Sequence, residues 1–313
     1  MSIVVLDADR SRIVEEKELG RRAQVLDLYS YVVANLLVGN NEGEPAIEVC
    51  SGRIVLMPRE SVIMAVTGAA KVMVNNREAP LWRAILVPKD SKVVISADRG
   101  LISYVSIAGG FKLEDLDEFL GRDVELEVGS SKLSLDELVE ELPGRRLPER
   151  YIPRPKEKEV MRVASESPEV EGGDLLLLSK RPREGLVFKA RNLKVFEEQL
   201  IKPRPPLGVL MAQDEERVLL TRSLRDDVDY DKLIGSVPPQ DVDRVSRAPY
   251  GTLVKLKLIE GSIAMELTSS YLGLIEKVKR VIEASCEAVR RGALLVRFRI
   301  GNRVYEAWVE ELR

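Results

Sequence analysis

The sequence predicts a mainly β protein with a few helices, in which two β-rich regions are followed by a C-terminal helix and a β-hairpin. Three observations support this prediction. Short β-branched runs recur from residue 46 to residue 108, separated by turn signals at intervals of about 8 to 12 residues. A second series of such runs follows a proline-rich segment. Two further stretches have apolar residues at steps of three and four, which is the spacing of a helix.

The composition is that of a globular protein. The chain has 313 residues, enough for two domains with separate cores and an appendage. Hydrophobic residues make up 45% and charged residues 32%, a balance typical of soluble proteins. No apolar run approaches the roughly 20 residues that cross a bilayer, and MSIVVLDADR lacks the pattern of a secretory leader. We therefore predict a cytoplasmic protein with no membrane partner. Frequent Lys, Arg and Glu favour a thermophile's ion-paired surface.

Charge and residue types exclude several classes of function. With 48 basic and 51 acidic residues the net charge is −3, which gives no overall field to attract nucleic acid. The chain contains no histidine, so it can form neither a Ser-His or Cys-His nucleophile pair nor an HExxH zinc site. The two cysteines, Cys50 and Cys286, belong to no metal or redox spacing, which favours buried free thiols over a disulfide or a nucleophile.

The first β-rich region begins with a helix. Apolar residues from Val25 to Leu37 recur at helical spacing and predict a helix from about Leu19 to Val38, ended by Gly39 as its C-terminal cap. We expect Asn35, a poor helix former, to fix the following turn through hydrogen bonds. The strands that follow, up to residue 108, predict an antiparallel barrel or sandwich.

The rest of the chain predicts a linker, a second barrel and an extension. Ser134 and Glu137 form a capping box before a short helix. Residues 143–159 are rich in proline and charge, which indicates a linker between a first domain of residues 1–142 and a second of residues 160–262. Residues 263–313 then contain a helix and a hairpin that turns at Gly301 and Asn302.

Several motifs in the first region resemble one family. They are Asp27 followed by ANLLVGN (34–40) and PAIEV (45–49), then AVTGAA (65–70), APLWRAILV (79–87), YVSIAGGF (104–111) and LGRD (120–123). In this order and spacing they resemble the KipA family of 5-oxoprolinase components, also known as allophanate hydrolase subunit 2 or biotin-dependent carboxyltransferase-like proteins. The resemblance implies two β-barrel-like domains, the second similar to cyclophilin.

The family also implies partners and a reaction. It predicts a divergent member of a 5-oxoprolinase- or allophanate-hydrolase-like complex, which acts on a small amide or lactam together with a KipI-like partner protein. A hydantoinase-like ATPase would use ATP, and we expect this chain itself to bind no cofactor and no metal. A homo-oligomer is also open, through Tyr305 and Trp308, although the terminal hairpin is expected to pack onto the preceding helix.

The second region departs from the family where its cleft residues are expected. TRSLRDDVDY (221–230) replaces a Gln-Thr-Thr-Gly-Gly segment, and GVLMAQD (208–214) replaces Gly-Thr-Ile-Gln-Val-Pro. Loss of paired glycines matters because glycine allows a backbone to approach a ligand closely. The alternative function is therefore a non-catalytic binding or regulatory module that keeps the KipA fold.

The resemblance leads to two sets of candidate site residues. Asp27 and Tyr230 are the candidate catalytic residues, which would orient the reacting groups. The candidate substrate-binding residues, suited to a carboxylate or amide, are Arg183, Gln213, Arg225 and Lys232. For Asp27 a plain place on the helix, and for Tyr230 a place in the core, are equally open. The acidic turn at 226–231 is favoured as a solvated surface turn, with ion binding left open.

Overall fold

The fold is described by a computed structural model of the chain. It describes residues 1–16, 25–112, 119–154, 156, 158–165, 173–181, 184–191, 208–213, 216–221 and 233–311. The prediction of a mainly β fold with a few helices is confirmed, since 47% of the described residues are in strands and 23% are in helices.

The first β unit is a half-barrel of nine strands. Its strands are β1 (Ser2–Val14), β2 (Ala46–Pro58), β3 (Val62–Gly68), β4 (Lys71–Val74), β5 (Arg77–Ala79), β6 (Ala84–Val87), β7 (Val93–Ser96), β8 (Ile102–Ile107) and β9 (Val124–Glu127). They are ordered β5-β4-β7-β2-β8-β3-β6, and β1 pairs with both β2 and β9. Buried side chains such as Ile3, Ile54 and Met64 form a core between these strands.

Helix α1 (Leu28–Leu37) lies against β3 and β8 of the half-barrel and against two later helices. All of its residues except Leu36 are buried, so it is apolar on every side, as expected of a helix inside a core. Gly39 follows with φ of +82°, a left-handed conformation in which glycine carries little strain. The predicted cap at Gly39 is confirmed.

The turn after α1 is held by Asn35, as predicted. Its Nδ2 donates to the backbone oxygen of Glu44 at 2.8 Å, and the backbone N–H of Asn40 donates to the backbone oxygen of Asn35 at 3.0 Å. The side chain of Asn40 accepts from the backbone N–H of Gly109 at 2.8 Å. The turn is therefore fixed both to the helix and to the end of β8.

The second β unit is a closed barrel of seven strands. Its strands are β10 (Lys158–Ala164), β11 (Asp174–Arg181), β12 (Gly185–Arg191), β13 (Gly208–Ala212), β14 (Arg217–Thr221), β15 (Leu233–Val237) and β16 (Leu253–Ile259). They close in the order β10-β15-β13-β14-β12-β11-β16, and β10 is parallel to β16. The barrel core, which includes Leu177 and Phe188, is continuous with the residues packed around α1. The two units therefore share one buried apolar cluster.

Three further helices complete the described fold, together with a hairpin. Helix α2 (Leu135–Glu140) begins with the predicted capping box of Ser134 and Glu137. Helix α3 (Pro239–Arg247) follows β15, and helix α4 (Gly261–Arg290) follows β16. The chain then forms the hairpin of β17 (Leu294–Ile300) and β18 (Arg303–Val309).

Some predicted boundaries are wrong. Helix α1 begins at Leu28, because Val25 and Leu26 are buried in an irregular segment and Asp27 caps the helix. Helix α4 begins at Gly261, earlier than the predicted Thr268. Strands β1 and β9 and helix α3 were not predicted at all.

The start of the segment that was expected to be a linker, residues 143–159, packs against the half-barrel. The backbone N–H of Ala84 donates to the oxygen of Arg145 at 2.8 Å, and that of Leu147 donates to the oxygen of Trp82 at 2.9 Å. The division into domains stays a prediction.

Among the described helices, none combines the length and apolar composition needed to span a bilayer.

Candidate functional site

A buried polar network joins the two β units at the start of α1. Asp27, the cap of α1, is fully buried, and its carboxylate accepts from the backbone N–H of Ser30 at 3.1 Å. The guanidinium of Arg247, from α3, donates to the same carboxylate from Nε at 2.7 Å and from Nη2 at 2.8 Å. Burial would lower the pKa of Arg247, but Asp27 and Asp243 outweigh it and hold that pKa above its ordinary value.

Asp243 of α3 gives α1 a second carboxylate at the same end. It accepts from the backbone N–H groups of Leu28 at 2.9 Å and Tyr29 at 3.0 Å, and from the hydroxyl of Tyr271 on α4. Carboxylates stabilise a helix N-terminus because they satisfy its free N–H groups and oppose its dipole. The start of α1 is thus held by residues of both units.

The half-barrel contributes Glu48 and Tyr104 to this network. Tyr104 donates its hydroxyl proton to Glu48 at 2.7 Å and accepts from the backbone N–H of Asp27 at 3.0 Å. Arg12 donates to Glu48 from Nε at 2.9 Å, and both side chains are buried. Burial raises the pKa of Tyr104 well above its ordinary value, so its hydroxyl stays protonated.

Lys180 of β11 is buried beside the same network. Its Nζ donates to the backbone oxygen of Ala248 at 2.7 Å and to that of Ser246, at the end of α3. Burial lowers the pKa of Lys180 from 10.5 to about 7, although Cys50, Asp27 and Glu48 act in the opposite direction. Lys180 therefore holds the end of α3 whether or not it is charged, since a neutral amine still has two protons to donate.

The carboxylate of Asp27 is occupied by protein groups and has no exposed surface. Asp27 therefore has a structural role, which is to join the two units. Its assignment as a catalytic residue stays a prediction.

An open cleft of about 690 Å³ lies at the other end of α1. Such a volume suits a small-molecule ligand. One wall is the turn of residues 39–43 with the end of α1, a second comes from residues 132–145, and the third is α4. We call this the α1–α4 cleft. Its described lining residues are Glu16, Leu36, Gly39, Asn40, Asn41, Glu42, Gly43, Lys132, Leu133, Glu141, Arg145, Lys279, Ile282, Glu283, Cys286 and Arg290.

Polar side chains of both signs meet across this cleft. Lys279 of α4 donates to the carboxylate of Glu42 at 2.8 Å, and this ion pair raises the pKa of Lys279. Lys132 donates to the side-chain oxygen of Asn41 at 2.6 Å. On the opposite side, Arg290 contacts the buried Glu141 at 2.9 Å. The cleft therefore offers cations, carboxylates and an amide at short range.

Gly39 and Arg145 determine the shape of the cleft floor. Arg145 is buried, and its Nη1 donates to the backbone oxygen of Leu37 at 3.3 Å, while Nη2 pairs with Glu141. A Cβ atom at position 39 would lie 3.1 Å from Nη1 of Arg145. A glycine at this position therefore leaves room for the guanidinium to cap the end of α1.

The thiol in the cleft is not poised as a nucleophile. Burial raises the pKa of Cys286 to about 11, so the thiol is protonated near neutral pH. Cys50, which lies outside the cleft, is likewise buried, and its pKa is raised to about 12. Both cysteines are free and buried, as predicted.

Of the residues predicted from the family resemblance, the structure describes two, Asp27 and Gln213, and neither lines this cleft. Asp27 lies in the buried network, and Gln213 is exposed at the end of β13, where its backbone N–H donates to the oxygen of Arg217 at 2.8 Å. The other predicted residues, Arg183, Arg225, Tyr230 and Lys232, lie outside the described residues, as does the whole of the acidic turn at 226–231. Within the described ranges, no group of three or more Cys, Asp or Glu side chains is placed to hold a metal ion.

Sequence reasoning missed the residues that form the cleft. Asn40, Asn41 and Glu42 were noted only as a turn after the helix. Lys279 and Arg290 lie on α4, far along the chain from that turn. The available signal was the polar sequence GNNEG (39–43) between the ANLLVGN and PAIEV motifs, which has more polar residues than the end of a helix needs.

Comparison with known proteins identifies the part of the chain that builds two walls of the cleft. Residues 22–163 match the carboxyltransferase domain, subdomain A and B. This carboxyltransferase-type segment contains the turn at 39–43 and residues 132–145, whereas α4 lies beyond it. The expected resemblance is thus confirmed at the coarser level of a match to the carboxyltransferase domain over these residues, and membership of the KipA family stays a prediction.

A curated relative is similar to part of this chain in sequence, and several solved structures are similar to it in fold. The urea amidolyase of Saccharomyces cerevisiae is 33% identical over 98 residues, which are 31% of this chain and 5% of that protein. The Kluyveromyces lactis urea amidolyase structure has a TM-score of 0.68 at 15% identity, covering 88% of this chain and 20% of that one. The structure of TTHA0988 has a TM-score of 0.62 at 20% identity, covering 82% of this chain and 55% of that one.

These likenesses to solved structures show the fold. The chain spans about half the length of TTHA0988 and a much smaller share of the two urea amidolyases. The half-barrel and the closed barrel are thus features that this chain has in common with larger proteins.

Proposed function

We propose that this chain is a carboxyltransferase-type member of an allophanate- or 5-oxoprolinase-like system, and that it acts on a small amide or lactam in the α1–α4 cleft. The observation that supports this most is the position of the cleft. Its floor and two of its walls come from the segment that matches the carboxyltransferase domain, and they include the turn at 39–43 between the ANLLVGN and PAIEV motifs.

The Lys279–Glu42 pair suits an amide. A lactam or a urea presents a C=O acceptor and an N–H donor on one side, and an adjacent ammonium and carboxylate can bind both. Lys132 and Arg290 lie in the same cleft and would attract a carboxylate on the substrate. In this proposal Glu42 and Lys279 orient the substrate, and they are not assigned a covalent step.

We further propose that the chain works with a KipI-like partner and that ATP is used by a hydantoinase-like ATPase. The cleft is open to solvent, and a partner that covers it would exclude bulk water and so strengthen the electrostatic contacts within it, which supports a partner. The pair Gly109 and Gly110 forms a tight turn against Asn40 and Gly129, so the fold alone accounts for these two glycines.

A non-catalytic binding module is the second candidate. One observation favours it: in the described cleft Glu42 and Glu141 are ion-paired and Cys286 is protonated near neutral pH. A site of this kind binds a polar ligand without supplying a nucleophile. The cytoplasmic location predicted above is part of both proposals.

The test is reconstitution with the partner proteins. The chain is purified with a KipI-like partner and a hydantoinase-like ATPase, and ATP-dependent opening of 5-oxoproline and turnover of allophanate are assayed. The proposal expects turnover that falls at least tenfold in Lys279→Met and in Glu42→Gln, since each removes half of the pair. Lys277→Met is the matched control, because it removes the same charge from the exposed face of α4.

The outcomes separate the two candidates. A stable complex without turnover, in which Lys279→Met weakens partner or ligand binding, supports the binding module. If neither a complex nor turnover is observed, both candidates are rejected. Turnover that survives Lys279→Met and Glu42→Gln shows that the chemistry lies elsewhere in the complex.

A further inference from the structure

The C-terminal hairpin turns an apolar face toward solvent. Residues directly opposite in an antiparallel pair share a face, and three such pairs are Leu294 with Val309, Val296 with Ala307, and Phe298 with Tyr305. With Ile300 they form one continuous surface, in which Phe298 and Tyr305 stack at 5.7 Å between ring centroids. We call these seven residues the outer face. Six of them are exposed, with Leu294 at 73% and Ile300 at 63%.

The opposite face holds the hairpin to the rest of the protein and carries Arg297, Arg299 and Glu306. Trp308 donates from its indole N–H to the hydroxyl of Ser285 on α4 at 3.1 Å. Glu306 accepts from Arg146 at 3.0 Å and from Arg297 at 2.7 Å. This polarity is the reverse of that of an ordinary surface hairpin, in which the apolar face packs inward.

The size of the outer face is that of an interface. From the exposed fractions of its side chains, it offers on the order of 600 Å² of surface, about the upper limit for an apolar patch on a monomer. Two such faces packed together would bury about 1,200 Å² in total, which is within the range of specific protein interfaces.

A second copy of the chain fits this surface better than a different partner. The seven side chains carry no formal charge and offer a charged partner no ion pair, and the charged residue that shares this face, Arg303, stands opposite Ile300 at the end beside the turn. Two copies can therefore meet over the centre of the face without repulsion. One surface patch can pack against its own copy across a two-fold axis, as required for an isologous dimer. The two hairpins would then form a small sandwich with sheets about 10 Å apart.

We propose that this chain forms a two-fold dimer through the outer face of the β17–β18 hairpin. The contact is independent of the reaction proposed for the α1–α4 cleft. Sedimentation velocity of the full chain over a wide range of concentration tests it. The expected result is a dimer for the wild type and a dissociation constant raised by about a hundredfold or more in Phe298→Glu, because a charge would be buried at the centre.

Two further variants make the test specific. Ile300→Lys repeats it at a side chain that is 63% exposed, where folding of the monomer does not depend on the substitution. Val304→Lys is the matched control: Val304 lies in the same hairpin and is half exposed, but it points to the other face. It should leave the dimer intact.

Three results would overturn the proposal. They are a monomeric wild type at every concentration, a Phe298→Glu or Ile300→Lys variant that dimerises like the wild type, and equal weakening by Val304→Lys. A wild type that is monomeric alone and uses the outer face only to bind a KipI-like partner also overturns it.

Discussion

The guanidinium of Arg247 donates two hydrogen bonds, of 2.7 and 2.8 Å, to the buried carboxylate of Asp27 across the junction of the two β units. These residues lie 220 positions apart in the chain. The contact fixes the start of α1, whose far end forms a wall of the α1–α4 cleft. The geometry of the cleft therefore depends on a contact made at the opposite end of the helix.

Removing Arg247 should destabilise the fold strongly. In Arg247→Met the carboxylate of Asp27 remains buried without its cation, and we expect a loss of about 3–5 kcal/mol in the free energy of unfolding. Urea denaturation measures this. The control is Arg181→Met, which breaks the half-exposed pair with Glu184 and should cost less than about 1 kcal/mol. Equal losses in the two variants would contradict the structural role given to Arg247.

Substitution of Gly39 should lower the free energy of unfolding by more than the strain of its backbone conformation alone. Gly39→Ala places an alanine at a φ of +82° and a Cβ atom against Arg145, whereas Gly251 has a φ of +83° and open space around it. Gly251→Ala should lose about 1–2 kcal/mol from conformation, and Gly39→Ala should lose clearly more. Thermal and urea unfolding compare the two. Similar losses would show that Arg145 does not depend on the space at position 39.

Lys180 should make stability depend on pH. Its pKa is about 7 in the folded chain and near 10.5 when unfolded, so between these values the unfolded state binds more protons. The contribution of Lys180 to stability is therefore lowest below pH 7 and rises with pH by at most about 1.4 kcal/mol per unit up to about pH 10.

The variant Lys180→Met isolates this effect. Cys50, with a pKa raised to about 12, stays neutral over the same range and does not titrate with Lys180. Urea unfolding at pH 7, 8 and 9 gives the free energy of unfolding of both proteins. The difference between wild type and variant should increase in favour of the wild type as the pH rises. Parallel curves would show that Lys180 is charged in the folded state throughout.

Neither cysteine should react while the chain is folded. A thiol with a pKa of about 11, such as Cys286, is only about one part in a thousand thiolate at pH 8, and Cys50 is less ionised still. Mass spectrometry after treatment with iodoacetamide should show both cysteines unmodified in buffer and both alkylated in urea. Rapid labelling of Cys286 in the folded chain would mean that the cleft activates its thiol.

Local patterns in the sequence were enough to predict much of the fold. The spacing of apolar residues and Gly39 located the end of α1, and the capping box located α2, because both signals lie within a few residues. The start of α1 was misplaced because Val25 and Leu26 are apolar and buried but not helical. Helix α3 was missed although its sequence has Pro239 in the first turn and Arg247 in the last, which are helix signals.

The cleft was harder to predict because it depends on contacts between distant residues. Lys279 and Glu42 are 237 positions apart, and no local pattern links them. Asp27 was singled out as a candidate catalytic residue of the family motif, and that assignment stays a prediction. Its burial could not be predicted, because the cation that satisfies it comes from a helix in the other unit.

The most direct test of the cleft is ligand binding, measured by calorimetry with 5-oxoproline and with allophanate on the chain in complex with a KipI-like partner. We expect binding of one of these ligands, a dissociation constant raised at least tenfold by Lys279→Met, and no change in Lys277→Met. Binding that is the same in Lys279→Met and the wild type would contradict the assignment of the α1–α4 cleft as the functional site.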